Sequence, residues 1–172
     1  IAPLFIAAIA GLATAVANHR PEMSDELHAE ALRRGRLRYC PVCDGYEVTD
    51  HNVAVVGVGA RALKEAEFLR SYTANVTLVA SEAEAGLTAA ERARCDAIGI
   101  RVVDGPARDY ALEARALSVA CAAGRLSFDT IYPALGSDVH SDLARSLGAA
   151  LSEDGCIKVD AHLRTSDPDI YA

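Results

Sequence analysis

Positive charge is in short supply, with 17 lysines and arginines against 24 aspartates and glutamates, and the formal net charge is -7. That balance argues against nucleic acid or an anionic membrane as the main partner and favours a small molecule or another protein. Cysteine is scarce too. The five, at positions 40, 43, 95, 121 and 156, are too few and too scattered for the disulfide framework of a secreted domain. The expectation is a reducing cytoplasm, with one special pair among ordinary buried thiols. Internal repeats and low-complexity linkers are also lacking. Charge is missing from residues 1–17, IAPLFIAAIAGLATAVA. That run falls short of the about 20 apolar residues of a spanning helix and lacks the basic start of a signal peptide. It is expected to be buried protein core in a chain that begins partway through something larger; a membrane tether is the competing reading.

What remains is globular in composition, with 51% hydrophobic and 24% charged residues, enough chain for one ordinary domain with a core. From Met23 to Arg36, MSDELHAEALRRGR predicts a helix capped by Ser24, acidic in its first turn, basic in its last and stopped by Gly35. Val53–Val56 is wholly apolar, as in a strand buried in a parallel sheet. Gly57 and Gly59 form a turn, and Ala62, Leu63, Ala66 and Leu69 then return at helical spacing through Tyr72. Asn75–Ala80 is a second buried strand, completing a βαβ unit. TAAERARCDAIG reads as a helix ended by Gly99. IRVVDG, ALSVACA and LSFDTIYPALG read as three strands of an antiparallel meander joined to the parallel sheet. A short helix, SDLARSLGA, precedes GCIKVD and a polar tail.

The turn GVGARA, Gly57 to Ala62, fits the dinucleotide-binding fingerprint and stands between strand and helix, where that fingerprint must stand. Gly57 permits the tight turn, Gly59 keeps a side chain out of the pyrophosphate's path, and Ala62 lets helix and strand pack closely. The helix N-terminus then meets the phosphates. After the second strand come Ser81, Glu82 and Glu84 without an arginine. Carboxylates there repel a 2′-phosphate, which favours NADH modestly over NADPH; a solvated loop is the plainer reading of the same residues.

The stretch RYCPVCDGYE holds Cys40 and Cys43. Zinc needs four ligands and this motif offers two, and a crosslink over three residues closes too small a loop to stabilise much. A dithiol that closes and reopens with a partner is better supported, because its thiol acidity responds to a helix N-terminus or a nearby positive group. Asp44 stands next in sequence, either as a proton donor and acceptor in exchange or as a turn former with Gly45.

With the pair just ahead of the glycine turn, the chain resembles the low-molecular-weight thioredoxin reductase family. CPVCDGYE, VAVVGVGARALKEAEFL, NVTLVA, YPALG and TSDPDIYA carry the resemblance, in the family's order and at about its spacing. It implies an α/β, Rossmann-like parallel sheet with an antiparallel three-strand meander, inserted between remnants of an FAD-binding domain. Residues 1–17 would be one such remnant, 18–136 the NAD(P)-binding domain with its dithiol, and 137–172 the truncated return segment. It further implies that NAD(P)H reduces FAD, FAD reduces the Cys40/Cys43 disulfide, and the dithiol reduces a thioredoxin-like protein disulfide. Cys43 would face the flavin, Cys40 would attack the partner, and Asp44 would serve as acid and base. Gly57, Gly59, Ala60, Arg61 and Ala62 would hold the pyrophosphate, with Ser81, Glu82 and Gly136 also toward the nucleotide. Ala80, Ser81 and Glu82 replace the His-Arg-Arg run of NADPH-dependent members. The family's FAD-domain glycine fingerprint is absent from these residues, so the chain alone is expected to be inactive, and a homodimer is expected only at full length. A flavin-free nucleotide-binding redox sensor is the alternative.

Overall fold

The structure, a computed structural model, describes residues 15–168 and 170–171. The apolar run thus lies outside the described residues up to Thr14, as do Asp169 and Ala172 of the polar tail. The chain divides into two compact units, residues 20–135 and residues 1–19 with 136–172. Among the described residues no helix is long and apolar enough to cross a membrane.

In the smaller unit, β1 (Ala15–Asn18) pairs antiparallel with a strand at Ser137–His140. A five-residue helix, Asp142–Ser146, follows, and Ala144 and Ala149 pack with Ile157 in a small apolar cluster.

The larger unit opens with α1 (Asp25–Arg33), capped by Ser24, whose hydroxyl accepts the Leu27 N–H at 3.2 Å. The helix ends where the sequence predicts: Arg34 closes its last turn and Gly35 leaves it at φ +64°, with its N–H donated to Leu32 O at 2.9 Å. Beyond Gly35, Arg38 N–H donates to Ile131 O and Ile131 N–H to Arg36 O, so residues 36–38 run extended beside Ile131. Next come α2 (Pro41–Asp44), a 3-10 turn at Gly45–Val48, β2 (Val53–Gly57), α3 (Gly59–Leu69) and β3 (Val76–Ala80). Then α4 (Ala89–Ile98) carries a Thr88/Glu91 capping box and ends on left-handed Gly99, as Gly99's lack of a Cβ allows.

From here the structure corrects the predicted meander. β4 (Arg101–Val103), expected in it, joins the parallel sheet beside β3. The meander consists instead of β5 (Arg108–Leu112), β6 (Leu117–Cys121) and β7 (Gly124–Phe128). LSFDTIYPALG breaks at Asp129, whose carboxylate accepts the Asn52 N–H at 2.9 Å; its second half becomes β8 (Thr130–Ala134), parallel to β2. The central sheet therefore has the order β4-β3-β2-β8.

Every residue of β2, β3 and β8 is buried, as a parallel sheet covered on both faces requires. Alternation sorts the side chains. Val53 and Val55 join Ala62, Leu63, Ala66 and Leu69 of α3 on one face, with Tyr132 and Ala134 of β8. Ala54, Val56, Val79 and Ile131 face α1 and the meander on the other, against Leu117, Val119 and Phe128. Each fully buried leucine among them is worth roughly 1.5–3 kcal/mol.

Candidate functional site: a disulfide beside a glycine turn

Cys40 and Cys43 form a disulfide. Pro41 occupies the first turn of α2, where its missing N–H and fixed φ cost nothing. The Cys43 N–H lies 3.2 Å from the Cys40 sulfur, a donor that favours the sulfur's anionic form once the bond is opened. Pro41 is buried whereas Val42 and Cys43 are exposed, Val42 at 76%. Cys40, half-buried, lines a cleft of about 570 Å³ with Leu37, Arg38, Tyr39 and Asp44.

Asp44 is not merely a turn former. Its Oδ1 accepts the Tyr132 hydroxyl at 2.7 Å, and its Oδ2 lies 3.1 Å from Arg38 Nη1. Arg38 Nη2 donates in turn to Glu47 Oε2 at 2.6 Å. Burial pushes the Arg38 guanidinium down, but the bonds to Glu47 and Asp44 outweigh it and leave its pKa raised. Burial, joined by the Asp44 bond, raises that of the Tyr132 phenol, which stays neutral. Gly45 has a separate reason to be glycine: a Cβ there would meet the Tyr72 ring at 2.9 Å. That ring sits edge-on to Phe68 of α3.

On the same face, β2 delivers its glycine turn. A Cβ on Gly57 would stand 2.7 Å from the Ala134 carbonyl oxygen and 3.0 Å from the Ala62 Cβ, so this glycine serves the close approach of β2, β8 and α3. Gly59 differs. It has φ +64°, and a Cβ there would point into nearly open space, with Gly86 O at 3.9 Å. No side chain caps α3; Ala60 and Arg61 are exposed and Ala62 is buried. An uncapped helix start behind an open glycine suits an anion. The turn is braced from β3, since Gly59 N–H donates to Ala85 O at 2.8 Å and Ser81 N–H to Gly57 O at 3.3 Å. Asp104 Oδ1 accepts the Ala85 N–H and lies 3.1 Å from Arg92 Nη2, contacts that hold its pKa low, Arg92 foremost.

The strand order reverses between β2 and β8, and ligands of open parallel sheets bind at the carboxyl ends beside such a reversal. There Ser81, Pro106, Ala107, Arg108, Tyr110 and Leu135 line a cleft of about 380 Å³, together with Arg20, Pro21 and Glu22. Ser81 is half-buried; Glu82 and Glu84 are exposed. Gly136, at φ +100°, belongs to the smaller unit, where its carbonyl accepts the His19 N–H at 2.9 Å.

Three residues of the two sites escaped the sequence reading. Arg38 was legible in principle, as a cation two positions before Cys40. Tyr132 and Arg108 were not, since only the fold brings them to Asp44 and to the end of β3. A Cβ on Gly105 would collide with the Ala80 and Glu82 carbonyls, and Ala107 N–H donates to Ala80 O at 2.9 Å, which is how Arg108 reaches that edge.

The chain is 30% identical over 139 residues to a thioredoxin reductase of Mycolicibacterium smegmatis, a match covering 76% of this chain and 44% of that protein. Among solved structures, the atypical thioredoxin reductase TRi of Desulfovibrio vulgaris Hildenborough is similar at 25% identity and TM-score 0.59, covering 90% of this chain and 51% of that one. The thioredoxin reductase of Lactococcus lactis is similar at 26% identity and TM-score 0.59, with coverages of 90% and 53%. The chain thus spans about half the length of the relatives it matches. Residues 12–172 match the family model described as pyridine nucleotide-disulphide oxidoreductase, and the chain belongs to that family, among relatives of thioredoxin reductase type.

Proposed function

We propose that the chain is the dithiol-bearing, nicotinamide-nucleotide-binding part of a flavin-dependent disulfide oxidoreductase of thioredoxin reductase type. The observation that carries this reading is the presence, in one compact unit, of a Cys40–Cys43 disulfide and an uncapped, glycine-led helix start on the same face of a parallel sheet. Residues 18–136 act as the nucleotide domain, residues 1–17 and 137–172 belong to an FAD-binding domain, and the full-length protein is a homodimer.

When bound, the nicotinamide nucleotide would supply a hydride and FAD would supply an electron pair for reduction of the Cys40–Cys43 disulfide. The chain's own residues bind and orient. Gly59 leaves the approach to α3 open, and the amides of Ala60 and Arg61 face the pyrophosphate. Ser81 takes the adenosine ribose. Glu82 and Glu84, exposed beside it, disfavour a 2′-phosphate and give a modest preference for NADH. Cys40, at its cleft, attacks the acceptor, a thioredoxin-like protein disulfide, while Cys43 faces the flavin. Asp44 exchanges the proton.

Calorimetric titration of the purified chain with NADH and NADPH is the test. Saturable binding that weakens in Gly59→Val supports the reading, as does the absence of NADH-driven disulfide reduction by the chain alone. Steady reductase turnover without added flavoprotein would refute the division of labour. Thiol exchange without nucleotide binding would point to the flavin-free redox sensor.

A further inference from the structure

Both oxygens of the Asp44 carboxylate are engaged, each by a different element. Tyr132 reaches it from the middle of β8 with a fully buried ring, and Arg38 reaches it from the extended segment that pairs with Ile131. The Arg38 and Asp44 side chains are only 18% and 23% exposed, whereas Glu47, which holds the second arm of Arg38, is 63% exposed. A carboxylate that served only to form a turn would not require a buried phenol and a guanidinium fork. Two donors on opposite oxygens fix the plane of the group.

We propose that Arg38 and Tyr132 are positioning residues for the dithiol, clamping the Asp44 carboxylate as the base that takes the Cys43 proton when the disulfide closes. The proposal rests on the reading of Cys40 and Cys43 as an exchanging pair. In the step concerned, the Cys40 thiolate attacks one sulfur of the acceptor disulfide, a mixed disulfide forms and the first acceptor thiolate leaves. Cys43 then gives its proton to Asp44, and its thiolate attacks Cys40 Sγ. The Cys40–Cys43 bond forms and the second acceptor thiolate departs. The dithiol is oxidised by two electrons and the acceptor disulfide is reduced by two. Glu47 tethers Arg38 from solvent and takes no proton in the step.

An aryl disulfide that releases a coloured thiolate separates the two events. It is mixed at pH 7 with the reduced chain in which Cys121 and Cys156, the free cysteines that are not buried, are replaced by serine. The first equivalent released reports Cys40 attack and the second reports closure by Cys43. Asp44→Asn is expected to slow the second phase by roughly a hundredfold and to leave the first nearly unchanged. Arg38→Met and Tyr132→Phe each slow the second phase roughly tenfold, the cost of one hydrogen bond to a charged group. Arg38→Lys falls between wild type and Arg38→Met, because one ammonium cannot fork between Asp44 and Glu47. A merely structural role would slow both phases together or neither. A second phase unchanged in both Arg38→Met and Tyr132→Phe, with Asp44→Asn slow, overturns the clamp and spares the reading of the pair. An unchanged second phase in Asp44→Asn overturns the clamp as well. A wild-type chain that never releases the second equivalent refutes the exchanging pair itself.

Discussion

The Tyr132 hydroxyl donates a 2.7 Å hydrogen bond to the Asp44 carboxylate across 88 positions of sequence. It joins the dithiol segment to the central strand pair, because Tyr132 lies opposite Val55 in the β2–β8 register. Removing the hydroxyl leaves a half-buried carboxylate oxygen with one fewer partner. Tyr132→Phe is expected to lower unfolding stability by about 2 kcal/mol. Urea denaturation should show a lower midpoint at unchanged slope.

The two glycines of the turn between β2 and α3 make different demands and are expected to give different phenotypes. Gly57→Ala places a Cβ 2.7 Å from the Ala134 carbonyl oxygen, and the overpacking costs roughly 1–3 kcal/mol. Gly59→Ala meets no close neighbour but must hold φ +64°, at roughly 1–2 kcal/mol. Thermal melts measure both. Nucleotide titration is expected to show that Gly59→Ala loses affinity out of proportion to its lost stability, since its Cβ enters the open approach to α3.

On the proposed function, nucleotide choice turns on charges beside Ser81. Glu82→Gln removes a carboxylate next to Ser81 and is expected to raise NADPH affinity by roughly threefold to tenfold with little effect on NADH, an electrostatic change of about a kcal/mol. Arg108→Ala, in the same cleft as Ser81, is expected to act in the opposite direction. Paired titrations with the two nucleotides check both variants, and equal shifts for NADH and NADPH would contradict the assignment.

Acid sensitivity has a named source in α1. Hydrogen bonds from Arg33 and then Arg34 hold the Glu30 pKa down to about 2, against an ordinary 4.5. A depressed carboxylate contributes stability that is complete above its unfolded value and is lost as pH falls through the folded one. The contribution of Glu30 is therefore intact above about pH 5 and disappears between there and about pH 2. Glu30→Gln should melt slightly lower than wild type at pH 7 and fall less steeply across that window, the two proteins converging near pH 2.

The βαβ unit was legible because its signals are local: an apolar run, a glycine pair and a 3.6 period all lie between Val53 and Ala80. The meander was misread where two strands abut without a turn residue. Asp129 alone separates β7 from β8, and the two halves of LSFDTIYPALG differ in the sheet they join rather than in composition. β5 was missed because Arg108–Leu112 is exposed at both arginine and aspartate, burying Tyr110 alone. The end of α1 was legible in Gly35, whereas the pairing of residues 36–38 with Ile131 was not, because no window around Gly35 contains it. Cys40, Cys43 and Asp44 stood out as a motif, whereas Tyr132 read as one more apolar strand residue until the fold aimed its hydroxyl at Asp44.

A redox titration of the purified chain in dithiothreitol buffers, counting thiols by mass spectrometry after alkylation, tests the central claim that Cys40 and Cys43 are an electron-carrying pair. The account predicts a two-electron transition confined to these two cysteines, with a midpoint more positive than about -300 mV, the range of catalytic dithiols. A pair that stays closed well below that potential would be a structural crosslink, and the account would be wrong.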